Sequence, residues 1–439
     1  MGRGATRSKH PVVRVSEPQG MMAPDAADIA RSRRLAELIA ADIDAAGGWI
    51  SFAEYMQHAL YAPGLGYYAA GSTPFGEDGD FVTAPELSPL FAATVAATID
   101  PVLRALGGGT LLELGPGSGR LAAGVLTEFA ALGTPLEEYL LLEPGAALVA
   151  RQRALLGEGR SGIAPDVAGA PRFDRGVAPE IVRRWLRALP APFCGVVLAN
   201  EVIDALPCER FVMQQGVAWR LGVGRTRGEP TTTPGFEWRA RPADGACPGD
   251  VFFATAMQQR LQGLAATGVT LPEGCCGEFH PALDDWLASI AACLQRGMLL
   301  FFDYGLPRAG LLRPERMRGT LRVFHRHRAH DDPFLWPGLS DLTAWVDFTA
   351  LAQAAEAAGL EVAGFTTQAG FLLGGGFEAR LAAAQQKAPD TASRAALAHG
   401  ARRLLLPGEM GEAVKVMVLA RDCASLPEAF ALQDLRRTL

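Results

Sequence analysis

Residues 111–122 read LLELGPGSGRLA: an apolar run closes on Glu113, glycines stand at alternate positions 115, 117 and 119, and a helical pattern follows. No other stretch restricts the fold as much. Glycine reaches positive φ and lets backbone approach a ligand closely. A strand that turns into a helix over such a loop leaves free N–H groups at the helix start. The dinucleotide fingerprint G-x-G-x-x-G needs a small third residue at position 120, and Arg120 stands there.

A second apolar strand, within YLLLEPGAALVARQRALL (139–156), ends in Glu143, 24 residues beyond Gly119. In doubly wound folds an acid at about this distance accepts hydrogen bonds from a ribose diol. Pro144 equally suits the start of the helix that follows. FCGVVLAN (193–200) and MLLFFDYG (298–305) read as further buried strands, LRVFHRH (321–327) as a fifth, and VAGFTTQ (362–368) and AVKVMVLAR (413–421) as the last two. Alternation with helical segments predicts an α/β fold around a largely parallel sheet.

The expected boundaries are a leader at 1–27, a helical, cleft-forming segment at 28–106, a core at 107–208 and 281–422, an insertion at 209–280 and a tail at 423–439. The insertion interrupts the alternating rhythm and is expected to cover the site as an α+β lid. Residues 385–400 read as merely alanine-rich.

Net charge of −6 disfavours a general nucleic-acid binder. Seven cysteines without C-x-x-C spacing suggest neither a zinc site nor a disulfide framework, and fit a reducing, cytoplasmic setting. No apolar run is expected to reach the roughly 18 residues of a membrane span. His325, His327 and His330 beside Asp331 and Asp332 are too unspecific to predict a metal.

ANEVIDALP (199–207) places Asn200, Glu201 and Asp204 just past the third strand, where open α/β sheets bind ligands. Each could instead cap the next helix. GDFVTAPELSPLF (79–91) offers Asp80, Thr83 and Glu86 as cleft residues, or as turn and cap. Asp303 and Tyr304 are a strand end or a substrate wall.

E-x-G-x-G-x-G at 113–119 resembles the S-adenosylmethionine (SAM) loop of class I methyltransferases. With ISFAEYMQHALYAPGLGYY (50–68), GDFVTAPELSPLF, LANEVIDALP, FFDYG, the block at 319–360, TQAGFLLGGG (367–376) and MGEAVKVMVLA (410–420), the chain resembles the MidA-like family over about residues 30–422. That family includes a mitochondrial complex I assembly factor with protein arginine methyltransferase activity. Phe324 and His280 depart from its pattern, which leaves a role for His280 undecided. The resemblance implies a class I, Rossmann-like sheet with SAM as cofactor. Glu113, Gly115, Gly117, Gly119 and Glu143 would bind it, with Asp80, Thr83 and Glu86 lining the cleft. Glu201, Asp204 and Asn200 would face an arginine guanidinium on a protein, a respiratory-complex subunit being one candidate. The alternatives are a small-molecule or lipid methyltransferase and an assembly factor that keeps only SAM binding. A homodimer is left open.

Overall fold

The computed structural model describes residues 23–70, 83–157, 181–226, 233–243, 245, 247–266, 268–326, 328–423 and 427–439. Seven main strands form the central sheet: β1 (Gly109–Leu114), β2 (Leu136–Leu142), β3 (Val182–Leu186), β4 (Phe193–Asn200), β5 (Leu294–Leu306), β6 (Glu361–Thr367) and β7 (Val414–Arg421). Their order is β6-β7-β5-β4-β1-β2-β3, and the two-residue strand Val346–Asp347 adds to β5. β1 lies between β2 and β4 in parallel register, Glu113 opposite Leu141 and Leu198. β7 runs antiparallel to both β5 and β6.

A parallel strand is covered on both faces, so it reads as a continuous apolar run rather than an alternating one. All six residues of β1 are buried accordingly. On one face the helices Pro89–Leu106 and Arg120–Leu132 pack through Phe91, Val95, Ile99 and Val125. On the other, Leu283–Cys293 and Phe348–Ala357 pack through Leu287, Ile290 and Leu351. Pro89–Leu106 is long and apolar enough, with mean hydropathy 1.3, to pass as a membrane span by length and composition. The sequence reading had expected no such run. Its apolar side, 56% of the helix, is buried in this core.

LRVFHRH does not join the central sheet. Arg322–His325 is the middle strand of a small antiparallel sheet with Arg328–His330 and Asp341–Thr343. Its backbone pairs with those two strands on both sides, Val323 opposite His330 and Leu342. The stretch read as alanine-rich folds as helices Phe377–Lys387 and Thr391–Leu405, the second capped by Asp390.

The strands Glu209–Gln214, Val217–Arg225, Phe236–Arg241 and Cys276–Phe279 build an antiparallel sheet of their own, with the helix Pro248–Ala266. The N-terminal helices Ala26–Ala45 and Phe52–Tyr61 pack against it. The second starts with a reciprocal cap: Glu54 N–H donates to Ser51 Oγ (3.1 Å) and Ser51 N–H to Glu54 Oε2 (2.7 Å). Buried Arg220 holds the small sheet to its helix, with Nη2 on Glu209 Oε1 (2.5 Å) and Nη1 on Asp250 Oδ1 (3.0 Å). Trp49 lies under Arg241, 3.6 Å from its guanidinium carbon. Arg220→Ala strands the buried Glu209 carboxylate, leaves Asp250 with Arg241 alone, and is expected to cost about 3–5 kcal/mol of unfolding free energy. A urea midpoint unchanged from wild type would show that the network contributes nothing.

Candidate active site

The loop between β1 and the helix Arg120–Leu132 is held by its own backbone. Gly115 N–H donates to Leu142 O (3.1 Å), and Gly119 N–H to Pro116 O (2.8 Å). Gly115, Gly117 and Gly119 have φ of 57, 54 and 83°, the left-handed region that side chains with a Cβ avoid. Close approach adds to this: a Cβ on Gly115 would meet Val202 Cγ2 at 3.1 Å. The glycine loop therefore abuts the turn that follows β4.

Both sequences of polar residues open into one cavity of about 1060 Å³. Gly115, Gly117, Glu113 and Glu143 line one part; Thr83, Asn200 and Glu201 line another; Tyr61, Tyr68 and Trp286 complete the wall. Glu143, at the end of β2, is buried; its Oε1 accepts from Gly145 N–H (2.8 Å) and its Oε2 from Gln152 Nε2 (3.4 Å). Burial pushes its carboxyl up to about 7, against the pull of those two bonds. Glu113 accepts from Tyr139 Oη (2.6 Å) and is likewise pushed up to about 7 by burial.

Glu201 is one of the few non-glycine residues with positive φ, at 55°. Its N–H is anchored on Phe302 O (2.8 Å). Asn200 Nδ2 (3.0 Å) and Ala84 N–H (3.3 Å) both donate to its Oε1. Burial pushes this carboxyl up to about 7. Asn200 Oδ1, in the cavity wall, is a buried acceptor with no hydrogen-bond partner among the described residues.

The structure sets three of the expected residues apart. Asp204 is 5% exposed and not part of the cavity wall. Burial first, then the charges of Asp303, Asp341 and Glu201, push its carboxyl well above the carboxylate range. Buried and off the cavity wall, Asp204 is not placed beside Glu201 as a second wall carboxylate. Glu86 does not line the cavity either; it accepts from Ser118 Oγ and pairs with Arg120 Nε (2.6 Å), tying the short helix Ala84–Leu87 to the glycine loop. Gly119 closes the loop without reaching the wall. Asp80 lies outside the described residues, as does His327.

Asp303 is the turn's anchor. Its Oδ2 accepts from Val202 (3.1 Å), Ile203 (2.8 Å) and Asp204 (3.4 Å) N–H groups. Sequence reasoning missed Gln152, Tyr61, Tyr68 and Trp286; the Gly-, Pro- and aromatic-rich run at 61–89 was the available signal for the tyrosines. The described residues of the expected lid at 209–280 contribute nothing to the cavity wall; besides the loops at the ends of β1, β2 and β4, wall residues come from 57–69, 83–85, 187–189 and 282–290. The described residues contain no group of three or more histidine, cysteine or acidic side chains placed to hold a metal. His280 is buried, and burial pushes it down to about 4, so it is neutral.

The donor set fits SAM: a glycine loop without the dinucleotide fingerprint, a buried acid one strand away, and room beyond it. Comparison with known proteins agrees. The family model described as "Putative S-adenosyl-L-methionine-dependent methyltransferase" matches residues 93–366. Among solved structures, a Burkholderia thailandensis protein bound to S-adenosyl-homocysteine superposes with a TM-score of 0.82 at 38% identity, over 96% of this chain and 100% of that one. Among curated proteins, "Protein arginine methyltransferase NDUFAF7, mitochondrial" of Rattus norvegicus is 30% identical over 83% of this chain and 79% of its own length. The Homo sapiens protein of the same name is 29% identical over 83% and 78%. The names of these relatives overturn the cytoplasmic expectation, which rested on free cysteines alone; a reducing environment is not peculiar to the cytosol. By the family match and the sheet order, the chain belongs to this family of S-adenosyl-L-methionine-dependent methyltransferases.

Proposed function

We propose that the chain methylates an arginine guanidinium of a protein acceptor, with Glu201 and Asn200 holding that group. The observation that carries this is the pair of acceptor atoms at the end of β4. Both bonds to the Glu201 carboxylate fall on Oε1, which leaves Oε2 for the acceptor, and Asn200 Oδ1 is buried without a partner. A guanidinium is planar and presents several N–H donors, so two adjacent acceptors match it in geometry and in charge. The curated relatives' names support the choice of arginine.

In this reading Gly115 and Gly117 shape the floor for the methionine end, Gly119 closes the loop, and Glu143 takes the ribose hydroxyls. Glu113 stands beneath the loop and Thr83 in the facing wall. SAM bound there supplies a methyl group on a sulfonium. Glu201 Oε2 and Asn200 Oδ1 each accept one guanidinium N–H, which turns the reacting nitrogen toward that methyl. Transfer would form the N–C bond as the methyl–sulfur bond breaks and its electron pair stays on sulfur as a neutral thioether; the nitrogen then gives up a proton to Glu201, whose carboxyl is poised near neutrality. Orientation of the two reactants supplies much of the acceleration. Asp204 and Glu86 act as supports of the turn and the loop.

Quantitative mass spectrometry of cells with and without the gene tests the acceptor class. Particular methylarginine peptides are expected to vanish in the deletion. An unchanged methylarginine profile, with labelled methyl recovered in the small-molecule or lipid fraction, would replace arginine by another acceptor.

A further inference from the structure

Gln152 lies in the helix Ala146–Leu156 and is completely buried. Its Nε2 donates to Gly117 O at 2.8 Å and to Glu143 Oε2 at 3.4 Å. Its Oε1 accepts from Trp185 Nε1, on β3, at 3.0 Å. An indole can only donate, so Trp185 fixes which end of the amide faces which partner. With Oε1 committed to the indole, Nε2 must face the two acceptors. The stem of the same side chain supports the loop: a Cβ on Gly119 would stand 3.3 Å from Gln152 Cγ. The glycine loop, the end of β2 and the edge strand β3 therefore meet on one amide.

We propose that Gln152 is a positioning residue for cofactor binding, holding the Gly117 peptide and the Glu143 carboxylate in fixed relation while Trp185 locks its own orientation. This rests on the reading of Glu143 as the residue that takes the ribose. Without the amide, Glu143 keeps only the Gly145 N–H on Oε1 and its Oε2 is no longer fixed, and Gly117 O loses its buried partner. The amide also bears on the charge of Glu143, because a donor to the ionised form favours it. Burial pushes that carboxyl up to about 7 while the Gly145 N–H and the Gln152 amide act the other way. Among the described residues, the other titratable or charged groups that face Glu143 are Glu113 on β1, Tyr61 across the cavity and Arg187 in the wall. Removing the amide moves the ionisation of Glu143 further up.

The test is calorimetry of S-adenosyl-homocysteine binding to the full chain between about pH 6 and 9, with thermal unfolding recorded for each variant. Gln152→Leu keeps the volume and removes the bonds. It is expected to bind about 10- to 100-fold more weakly at pH 7.5, the scale of one hydrogen bond to a charged group, with the affinity–pH curve displaced upward. Gln152→Glu places a second carboxylate beside Glu143; it should bind poorly at pH 8 and recover toward pH 6, where the protonated carboxyl regains a donor. Trp185→Phe, which frees the amide to flip, should weaken binding several-fold. A purely structural role would lower the unfolding temperature and leave the pH curve in place. Wild-type affinity and an unmoved curve in Gln152→Leu overturn the proposal. If that variant does not fold, an unmoved curve in Gln152→Glu and unchanged affinity in Trp185→Phe do so. Glu143→Gln separates the two readings. Undiminished binding in it removes Glu143 from the ribose. Weakened binding there, beside unaffected Gln152 variants, removes only the positioning role.

Discussion

Replacing Glu201 by glutamine is expected to cut methyl transfer by about 10²- to 10⁴-fold, the range for losing a positioned acid–base group. S-adenosyl-homocysteine affinity should stay within about a factor of two, because Glu201 faces the acceptor in our reading and the cofactor contacts come from other strands. The same variant should be more stable than wild type at pH 8. The carboxyl is raised in the folded protein from 4.5 to about 7. Its contribution is therefore favourable below pH 4.5 and lost as the pH rises through about 7. Above that pH the wild type carries a buried charge costing about 1–3 kcal/mol, and glutamine carries none. The stability gain should fade as the pH falls toward 5. Unchanged turnover removes Glu201 from the acceptor site, and loss of S-adenosyl-homocysteine binding alongside activity moves it into the cofactor site. An enzyme that becomes sturdier as it becomes inactive is the expected mark of a site that stores cost for function.

The second large effect belongs to the loop. Gly117→Arg combines two penalties. A φ of 54° costs a side-chain-bearing residue about 1–2 kcal/mol, and the new side chain starts in the cavity wall. Binding of S-adenosyl-homocysteine is expected to fall by more than about 100-fold, beyond calorimetric detection at ordinary concentrations. Circular dichroism should show retained secondary structure, since neither flanking element includes residue 117. Wild-type heats from the variant would show that the cofactor lies elsewhere.

Much of the fold was legible because the strands of a parallel sheet are apolar throughout and stop at polar residues. β4 falls on 193–200 as read, and the antiparallel strand near the end is β7. β3 escaped notice because an edge strand need not be apolar: Val182–Leu186 carries Arg183 and Arg184 and is only half-buried. The helices of the alanine-rich region were not read because small side chains give little periodic contrast, although alanine is the strongest helix former. At the site, spacing located the turn after β4 but not its inner and outer sides. Glu201 and Asp204 looked equivalent in sequence; Asp303, a hundred residues away, gathers the turn's N–H groups and leaves Asp204 behind it. Gln152 gave no signal because a neutral amide in a helix of weak periodicity resembles a surface residue.

The residues past β7 have a consequence for self-association. Gln433 Oε1 accepts from Thr366 (2.9 Å) and Thr367 (2.8 Å) hydroxyls, and Leu435 N–H donates to Phe365 O (2.7 Å). The outer rim of β6 is thus already engaged by the chain's own final turns. Exposed strand rims are templates for joining a neighbouring molecule. At this end the template is filled, so two copies cannot fuse their central sheets through β6 without first peeling that closing segment away.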